Sequence, residues 1–516
     1  MTAQAKLLSR ISCISQLKPI MQNLLSVHIH PSWHFYVAVA GIFCGVVISI
    51  AFSLRIFVEL YWLILASILL IMAIIFQAKF MLVLAFLAGF IIGNFRSLPQ
   101  LSSQEFFSTN AGQTVLISGL ISDDPDFSEG NNVIHLSKIC VDNEMCFAGT
   151  AYIKLARKIE VERSDYVTLQ GKLGGGFGTF VTSIFRPTVL NIDKAIPGDL
   201  FAKFKAFFSD RIRDYIASPE VDLGLGYLMG MRSGLSDEFS EALRTVGMTH
   251  VIVASGAHLG ILVGAAKKLF GRLSKFAGLM FSILLIIAFV LTVGFTPSMT
   301  RAALVTTLSL MMGYVGRKFR PWRLLILVAA LTLLIEPVNF LSLGWQLSFA
   351  SFFGILILAP RLGRFLYGGK APPWLAGMLI TSFATSLVCA PILIYNFGSI
   401  SLLSFVANLV ILPTLPYVML LVFLVGATSF LPALAGLLAL PATWLLDFHI
   451  SIVNLLSEKT MFVVNLPATD PRFFLLYLPM AIILLWTQLR EHKRRRKSCI
   501  PIIKNEKICY NNEYEN

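Results

Sequence analysis

The sequence predicts a polytopic α-helical membrane protein with about 12 spans and a small extracytoplasmic β-barrel of the OB type inserted between them. Three observations predict this fold class. Hydrophobic residues make up 56% of the 516 residues and charged residues only 14%, against roughly 45–50% and 25% in soluble domains. Apolar runs of bilayer length recur along the chain, and one polar interval, residues 96–200, alternates like β-strands. The excess of apolar residues excludes a soluble enzyme.

The apolar runs give the order of the predicted spans. A membrane-spanning helix needs about 20 apolar residues, and ~17 to 25 are tolerated. Residues 1–34 precede the first run, the three runs in 35–95 precede the polar interval, and an amphipathic stretch at 201–248 follows it. The predicted spans are 35–54, 60–76, 80–95, 249–266, 277–294, 299–316, 322–336, 344–360, 374–396, 401–425, 432–456 and 473–489.

The basic residues predict how these spans are oriented in the plasma membrane. Short loops rich in Lys and Arg stay in the cytoplasm. If the N-terminus is cytoplasmic, the polar interval lies outside, and the C-terminal tail, 490–516, lies inside. The inward basic clusters are then 267–275, 317–323, 361–370 and the tail sequence REHKRRRK. Membrane topology therefore accounts for the net charge of +14, and residues 96–200 carry a net charge of −3.

The polar interval is predicted to fold as a small barrel. Five short strands separated by turn signals lie within residues 113–192, a pattern typical of the OB type. The run GKLGGGFG at 171–178 is predicted to be a turn, because it lies between strands and lacks the Lys-Ser/Thr ending of a phosphate loop. Cys140 and Cys146 flank a turn sequence, VDNEM, so a disulfide between them is chemically allowed on the outer face.

The run GMTHVIVASGAHLG at 247–260 contains the first candidate functional residues. On one continuous helix, His250, Ser255 and His258 fall within a sector of roughly 140°. Polar groups in a span usually face the bundle interior or a water-filled cavity, so this sector is expected to line a pathway. Two alternatives stay open. One is interhelical hydrogen bonding alone, and the other is Ser-His catalysis, for which no orienting acid lies nearby in the sequence.

Arg301 is a second candidate, near the outer end of its span. Pro297 fits the first turn of that helix and Thr296 fits its cap. A cation there opposes the positive end of the helix dipole and needs a partner in the membrane. Glu336 and a passing phosphate group are the two partners considered.

Two further features lie inside predicted spans. Asp447 and His449 are ionisable, although residues two apart in a helix do not face each other. A satisfied structural polar pair is favoured over a proton relay. Pro413 and Pro416 interrupt an apolar run, which predicts a discontinuous helix whose freed backbone groups are buried in protein or face a cavity.

Four sequence blocks, in order, resemble the competence domain of the ComEC family of DNA-uptake membrane proteins. They are GLSDEFSEALRTVGMTHVIVASGAHLGIL, GFTPSMTRAAL, EPVNFLSLGWQLSFASFFGIL and NFGSISLLSFVANLVILP. With the three N-terminal spans and the outer domain, the resemblance covers roughly residues 35–490 and implies a competence-type transmembrane domain at 249–489. The matching positions are Gly247, Thr249, His250, Ser255, Gly256 and His258 in the first block, Arg301 in the second, Gln346 and Ser348 in the third, and Asn408 and Pro413 in the fourth.

The resemblance implies a channel that passes one strand of transforming DNA across the plasma membrane, with the outer domain meeting the DNA. Many family members carry a metallo-β-lactamase-like domain with an HxHxDH motif, and these 516 residues do not contain that motif. We therefore expect no metal site, no cofactor and no enzymatic activity of this chain. The alternative is a transporter of a small anionic metabolite or lipid-linked precursor. Internal hydropathy symmetry, typical of inverted-repeat transporters, is not evident.

The partners expected from this interpretation are the lipid bilayer, the DNA strand in transit, an extracytoplasmic DNA receptor, a separate nuclease and a cytoplasmic motor or strand-binding protein. The motor is expected on physical grounds. A negative-inside potential opposes each incoming phosphate by about 2.3 kcal/mol per 100 mV. The sequence has no GxxxxGK[ST] loop to suggest an ATPase of its own.

The predicted topology can be checked with reporter fusions. A reporter fused after Asn110 is expected outside the cell, and one fused after Lys497 is expected in the cytoplasm, because three spans precede the first site and an even total precedes the second. Activity of both fusions on the same side of the membrane would contradict the odd number of spans before the barrel.

Overall fold

The computed structural model describes residues 31–57, 59–76, 81–128, 131–142, 145–195, 199–231, 234–252, 256–272, 274–294, 296–316, 321–368, 370–401, 403–458, 463–465, 482, 486, 499–502 and 506–509. The chain divides into two compact units, which are described separately. The first comprises Met1–Asp214, Leu228–Ser236 and Ala254–Trp345, and the second comprises Tyr215–Tyr227, Asp237–Val253 and Gln346–Asn516.

The described helices, in chain order, are α1 (Pro31–Ala51), α2 (Tyr61–Phe76), α3 (Met81–Thr109), α4 (Leu200–Arg213), α5 (Glu220–Met229), α6 (Asp237–Val246), α7 (Thr249–Ile252), α8 (Gly256–Phe270), α9 (Lys275–Val293), α10 (Pro297–Tyr314), α11 (Pro321–Ile335), α12 (Leu343–Phe353), α13 (Ala359–Tyr367), α14 (Trp374–Phe397), α15 (Leu403–Ala427) and α16 (Pro432–Ser457). A 3₁₀ turn, Pro337–Leu341, follows α11, and a π-helical segment, Gly354–Leu358, joins α12 to α13.

Within the described residues, seven helical stretches are long and apolar enough to cross a membrane. They are formed by α1, α3, α9, the continuous stretch Leu343–Tyr367, α14, α15 and α16, and two shorter apolar helices lie at Tyr61–Ala73 and Trp322–Ile335. These helices agree with a polytopic membrane protein. The total of twelve spans stays a prediction, since the predicted span 473–489 lies almost wholly outside the described residues.

Glycine residues bring α1 and α3 into backbone contact in the first unit. A Cβ atom placed on Gly89 would lie 1.9 Å from the carbonyl oxygen of Ala38, and one on Gly45 would lie 2.3 Å from that of Phe90. Gly41 and Gly93 are equally close to the opposite backbone. Small residues at such a crossing let two membrane helices pack closely where no hydrophobic effect drives their association. Any side chain at these positions would separate the two helices.

Asn94 fastens the same pair of helices where α1 ends. Its side-chain amide donates to Ser49 Oγ at 2.6 Å and to the Leu54 carbonyl at 2.9 Å, and its oxygen accepts from the Phe57 N–H at 3.1 Å. Asn94 is fully buried. Three hydrogen bonds therefore satisfy a polar group that would be costly to bury alone.

Helix α3 continues well beyond the predicted end of the third span at residue 95. It has 29 residues, about 43 Å at ~1.5 Å per residue, whereas the hydrocarbon core of a bilayer is about 30 Å thick. The helix passes through Pro99 and buries Gln100, Leu101 and Phe107 on one face. This buried face packs on the barrel, which explains why a helix persists where the sequence becomes polar.

The predicted β domain is a closed five-stranded barrel with OB-like strand order. Its seven strands are β1 (Thr114–Ile121), β2 (Asp126–Ser128), β3 (Asn131–Val141), β4 (Met145–Lys154), β5 (Tyr166–Gly174), β6 (Phe180–Phe185) and β7 (Thr188–Asp193). The barrel follows the order β1-β3-β4-β6-β5, and β5 returns to pair with β1. Strands β4 and β6 run parallel, and the other neighbours run antiparallel. Strands β2 and β7 pair with β3 and β5, outside this closed path.

Alternating residues of the strands fill the barrel core. Ile117, Leu136, Ile153, Val167 and Ile184 are among its fully buried side chains, and Phe107 of α3 joins them. Next to this core, Phe106 of α3 stacks on Phe147 of β4 with ring centroids 4.3 Å apart. The end of α3 is thus part of the barrel.

Arg163 attaches the barrel to α9 and α4. Its guanidinium donates to Asp199 at 2.7 Å and to the Leu291 carbonyl, in the last turn of α9, at 2.8 Å. Burial tends to raise the pKa of Asp199, but the hydrogen bonds from Arg163 and from the first amides of α4 outweigh it and hold the pKa below its usual value. A second ion pair, between Lys205 of α4 and Asp124 at 2.5 Å, fixes the same face of the barrel.

The second unit contains irregular helices that pack closely. The π-helical segment places Gly354 against α14, where an added Cβ would lie 2.9 Å from the Thr385 Cα. The discontinuous helix predicted at Pro413 and Pro416 is wrong, because both prolines lie inside α15, which continues through them as one helix. Strands β8 (Ser399–Ser401) and β9 (Val463–Asn465) form a short antiparallel pair, and β10 (Cys499–Ile502) pairs with β11 (Glu506–Cys509) in the predicted tail.

We expect Gly89→Ala to destabilise the protein. Alanine normally stabilises a helix by about 1 kcal/mol relative to glycine, but here its methyl group would meet the α1 backbone, and overpacking costs about 1–3 kcal/mol. The measurement is the thermal unfolding midpoint in detergent. Gly260→Ala in α8 is the matched control, because nothing lies within 4 Å of its added Cβ. An equal or higher midpoint for Gly89→Ala would contradict the close packing of α1 and α3.

Cys140 and Cys146 lie directly opposite each other in the β3–β4 hairpin, and the structure joins them in a disulfide. In a variant that keeps only these two cysteines, we expect a membrane-impermeant maleimide to label intact cells only after a reductant is added. Labelling without reductant would show that the pair is reduced on the cell surface.

Candidate nucleic-acid interface and membrane pathway

Five ring-bearing side chains form a cluster on the outer face of the barrel, here called the aromatic patch. It consists of His135, Tyr152, Phe177, Phe180 and Phe185. Tyr152 lies at its centre, with ring centroids 5.2 Å from Phe177, 5.5 Å from Phe180 and 6.3 Å from Phe185. His135 lies 4.9 Å from Phe180. The rings therefore form one continuous surface.

Strand alternation places the patch outside the barrel. Ala151 and Ile153, the neighbours of Tyr152, are fully buried in the core, so Tyr152 points the opposite way. His135 is opposite Tyr152 in the β3–β4 register, and Phe185 is opposite Lys154 in the parallel β4–β6 register. The side chains of Phe177 and Phe185 are 48% and 57% exposed. The patch is accessible to a ligand from solvent.

The patch occupies the part of an OB-type barrel that binds oligonucleotides. In such barrels the second and third strands and the loop between the fourth and fifth strands form the binding face. Here the second and third barrel strands are β3 and β4, and the corresponding loop connects β5 to β6 and carries Phe177. Only the second half of the glycine-rich run, 175–178, lies in this connection, where the prediction of a turn is confirmed. Residues 171–174 end strand β5, so the prediction is wrong for the first half. Gly178 has φ of +56° and open space around its Cβ position.

Charged residues lie close to members of the patch. His135 Nδ1 lies 3.0 Å from Asp123 Oδ2. Burial tends to raise the pKa of Asp123, but the hydrogen bond and the charge interaction with His135 outweigh it and lower the pKa. Lys154 lies two residues after Tyr152 on the same strand face, and exposed Arg186 follows Phe185. An ionised carboxylate thus lies next to His135, and a cation, Lys154, lies on the same strand face as Tyr152.

The structure places the residues of the first sequence block on two helices. His250 is in α7, where its Nδ1 lies 3.1 Å from the Gly247 carbonyl, and its side chain is exposed. Gly256 begins α8, and His258 is buried in the first turns of that helix. Ser255 lies outside the described residues, and α7 and α8 belong to different units. The shared helix sector of the three polar residues stays a prediction.

Arg301 is buried in α10, with only 3% of its surface exposed. The predicted start of this helix is confirmed, because Thr296 caps it by accepting from the Met299 N–H and Pro297 opens its first turn. Arg301 Nη2 lies 3.4 Å from the Ser298 carbonyl. The carboxyl group of Glu336 is within electrostatic range of Arg96 and Asp123. Its proposed pairing with Arg301 stays a prediction.

The other candidates lie in the second unit. Gln346 and Ser348 are on α12, and Ser348 is buried and accepts from the Ser351 hydroxyl at its carbonyl. Asn408 and Pro413 are on α15, and Asn408 is buried. All four are therefore on helices that are long and apolar enough to cross a membrane.

His449 is fully buried and has a partner that sequence reasoning missed. Its Nε2 lies 2.7 Å from Thr414 Oγ1, between the two prolines of α15, and its ring lies edge-on to Tyr227 at 5.7 Å. Asp447 is exposed on the other side of α16. Asp447 and His449 therefore do not face each other, as the sequence predicts, and His449 has its hydrogen-bond partner on α15 instead.

The part of the chain that the structure describes contains no group of three or more His, Cys, Asp or Glu side chains arranged to hold a metal ion.

Comparison with known proteins gives two matches. The family model described as "Competence protein" matches residues 227–491, slightly more than half of the chain. The chain is also similar to ComE operon protein 3 of Bacillus subtilis (strain 168), with 29% identity over 187 residues. That alignment covers 36% of this chain and 23% of the relative, so the chain spans about a quarter of that protein's length. No solved structure matches the chain.

Proposed function

Because the chain belongs to the competence protein family, we propose that it takes part in natural transformation as the channel that passes a single DNA strand across the plasma membrane. The family match over residues 227–491 carries this proposal. The matched region includes five of the seven long apolar helical stretches, so the similarity falls on the membrane helices and not only on the loops.

The proposed role of the barrel is to receive the strand on the aromatic patch. A single strand exposes unstacked bases, which stack on aromatic side chains whatever their sequence. The rings of Tyr152, Phe177 and Phe185 offer such faces at separations of 5–6 Å. Lys154 and Arg186 could then contact the phosphates. This combination of rings and cations supports a single strand as the ligand although residues 96–200 carry a net negative charge.

The proposed pathway through the membrane uses the buried polar residues of the matched blocks. A buried cation such as Arg301 is costly inside a membrane and usually marks a pathway for ions or substrate. His258, Ser348 and Asn408 are likewise buried polar residues on apolar helices. The remaining proposed pathway residues come from the same sequence blocks. They are His250, Ser255, Gly256, Gln346 and Pro413.

The energy for transport is proposed to come from outside this chain. The membrane potential opposes each phosphate that moves inward. We therefore place a motor or strand-binding protein at the basic inner loops 317–323 and 361–370 or at the tail 490–497. A DNA receptor on the outer side and a separate nuclease complete the proposed partners.

The role of the aromatic patch predicts the effect of a double substitution. Phe177→Ala together with Phe185→Ala is expected to weaken binding of a fluorescent oligothymidylate to the purified full chain. Each lost stacking contact is worth about 1–3 kcal/mol, and each 1.4 kcal/mol is about tenfold in affinity. Leu190→Ala, an exposed position on β7, is the matched control.

Thermal unfolding of each variant would show that it is folded. Unchanged affinity in a folded double variant would remove the aromatic patch from the proposed pathway without affecting the family assignment.

The channel role is tested in a deletion strain that is complemented with wild-type or variant chains. Wild type is expected to restore uptake of labelled DNA. His258→Ala and Arg301→Ala are expected to reduce uptake severalfold while leaving surface binding of duplex DNA intact. Lys267→Ala, at the exposed end of the helix that carries His258, is the control.

Immunoblots of membrane fractions would establish that every variant is inserted at the wild-type level. Normal uptake by the deletion strain would reject the proposed function. Normal uptake by the two variants alone would assign His258 and Arg301 a structural role.

A further inference from the structure

A small cavity of about 20 Å³ lies between α14 and α15 in the second unit. Met378 and Ser382 contribute to its lining from α14, and Asn408, Leu409 and Leu412 contribute from α15. No residue that lines the cavity is charged.

Two side chains at this cavity have unmet hydrogen-bonding capacity. Asn408 is 9% exposed, and its Oδ1 is buried without a hydrogen-bond partner in the described part of the chain. Ser382 Oγ, on α14 across the cavity, is also buried without a hydrogen-bond partner in the described part of the chain. Buried polar atoms of native proteins are normally paired with protein or with an ordered water molecule. Both atoms therefore point to a missing partner.

The two prolines of α15 add carbonyl groups to the same place. Proline has no N–H, so Pro413 and Pro416 cannot bond to the carbonyls four residues earlier. Those carbonyls belong to Leu409 and Leu412, which are both lining residues of the cavity. The Thr414 hydroxyl bonds to the carbonyls of Val410 and Ile411 instead.

We propose that one water molecule occupies this cavity and bridges α14 to α15. The water accepts the Ser382 hydroxyl proton and donates its two hydrogens to Asn408 Oδ1 and to a carbonyl that the prolines release. The space exceeds the roughly 10–15 Å³ that a single water needs, and the partners number between two and four, as buried waters require. A cation would find oxygen ligands but no carboxylate to balance its charge, which makes burial costly.

The bound water has a structural consequence that does not depend on DNA transport. It donates to one of the two carbonyls that the prolines leave without their usual donor, and it links that carbonyl to α14 through Ser382. The water thereby holds α15 against α14 at the position where the prolines remove two hydrogen bonds within α15.

The experiment is X-ray hydroxyl-radical labelling of the full chain in detergent, with isotope-labelled water as the oxygen source. Radicals formed from a bound water oxidise the side chains beside it. Met378 is expected to take up label in the wild type and to fall to the level of Met419 in Asn408→Leu, which fills the cavity. Met419 is buried on α15 and is not among the lining residues.

Ser382→Ala is a milder second variant, which removes one partner and should lower the labelling of Met378 without filling the cavity. Asn396→Leu is the matched control, since Asn396 is exposed on α14 and bonds to the Ile392 carbonyl. Its labelling pattern should equal that of the wild type. Labelling of Met378 that is unchanged in both cavity variants would overturn the proposal.

A second measurement distinguishes water from a cation. The thermal midpoint of the wild type is expected to be the same in sodium chloride and in choline chloride of equal concentration. A sodium-specific increase that disappears in Asn408→Leu would replace the water with a monovalent cation and overturn the assignment.

Discussion

The close crossing of α1 and α3 is the contact on which the first unit depends. Four glycines let the two backbones touch, and Asn94 ties the adjoining loop to the same crossing. Because α3 then continues into the barrel core through Phe106 and Phe107, its position in the bundle also fixes the barrel. A contact between two helix backbones thus determines where the β domain lies within this unit.

Side chains that satisfy backbone groups at helix ends join the remaining parts of this unit. Arg96 of α3 donates to the carbonyls of Leu334 and Ile335, both at 2.7 Å, where α11 ends. Arg163 does the same for Leu291 in the last turn of α9. The last carbonyls of a helix have no partner within it, and the negative end of its dipole favours a cation. Each arginine therefore provides donors for carbonyls at a helix end. In doing so, Arg96 joins α3 to α11 and Arg163 joins the barrel to α9.

The sequence predicted features that depend on local periodicity, and it missed those that depend on contacts across the fold. The barrel strands and the cap at Thr296 follow from alternation and capping chemistry, and both agree with the structure. The turn predicted at 171–178 is present only over 175–178, because pairing with β1 extends β5 to Gly174. The continuation of α3 through Pro99 could not be predicted, because the barrel core that stabilises it is assembled from distant strands.

The same limit applies to the candidate sites. Alternation alone would place Tyr152 outside the barrel, but its contact with Phe177 and Phe180 requires the parallel pairing of β4 with β6. The pairing of His449 with Thr414 likewise joins residues of two helices. The sequence predicts that Arg301 needs a partner in the membrane, but that partner cannot be derived from one sequence.

The barrel is held at three places: by the end of α3 in its core, by Arg163 at α9, and by Lys205 of α4 at Asp124. Three separate attachments remove the rotations that a domain on a single linker retains. The aromatic patch therefore keeps one orientation relative to α3, α4 and α9. A flexible polymer that reaches this surface must supply the motion itself, so the rate of its first contact depends on the stiffness and length of the polymer and not on an opening step in the protein.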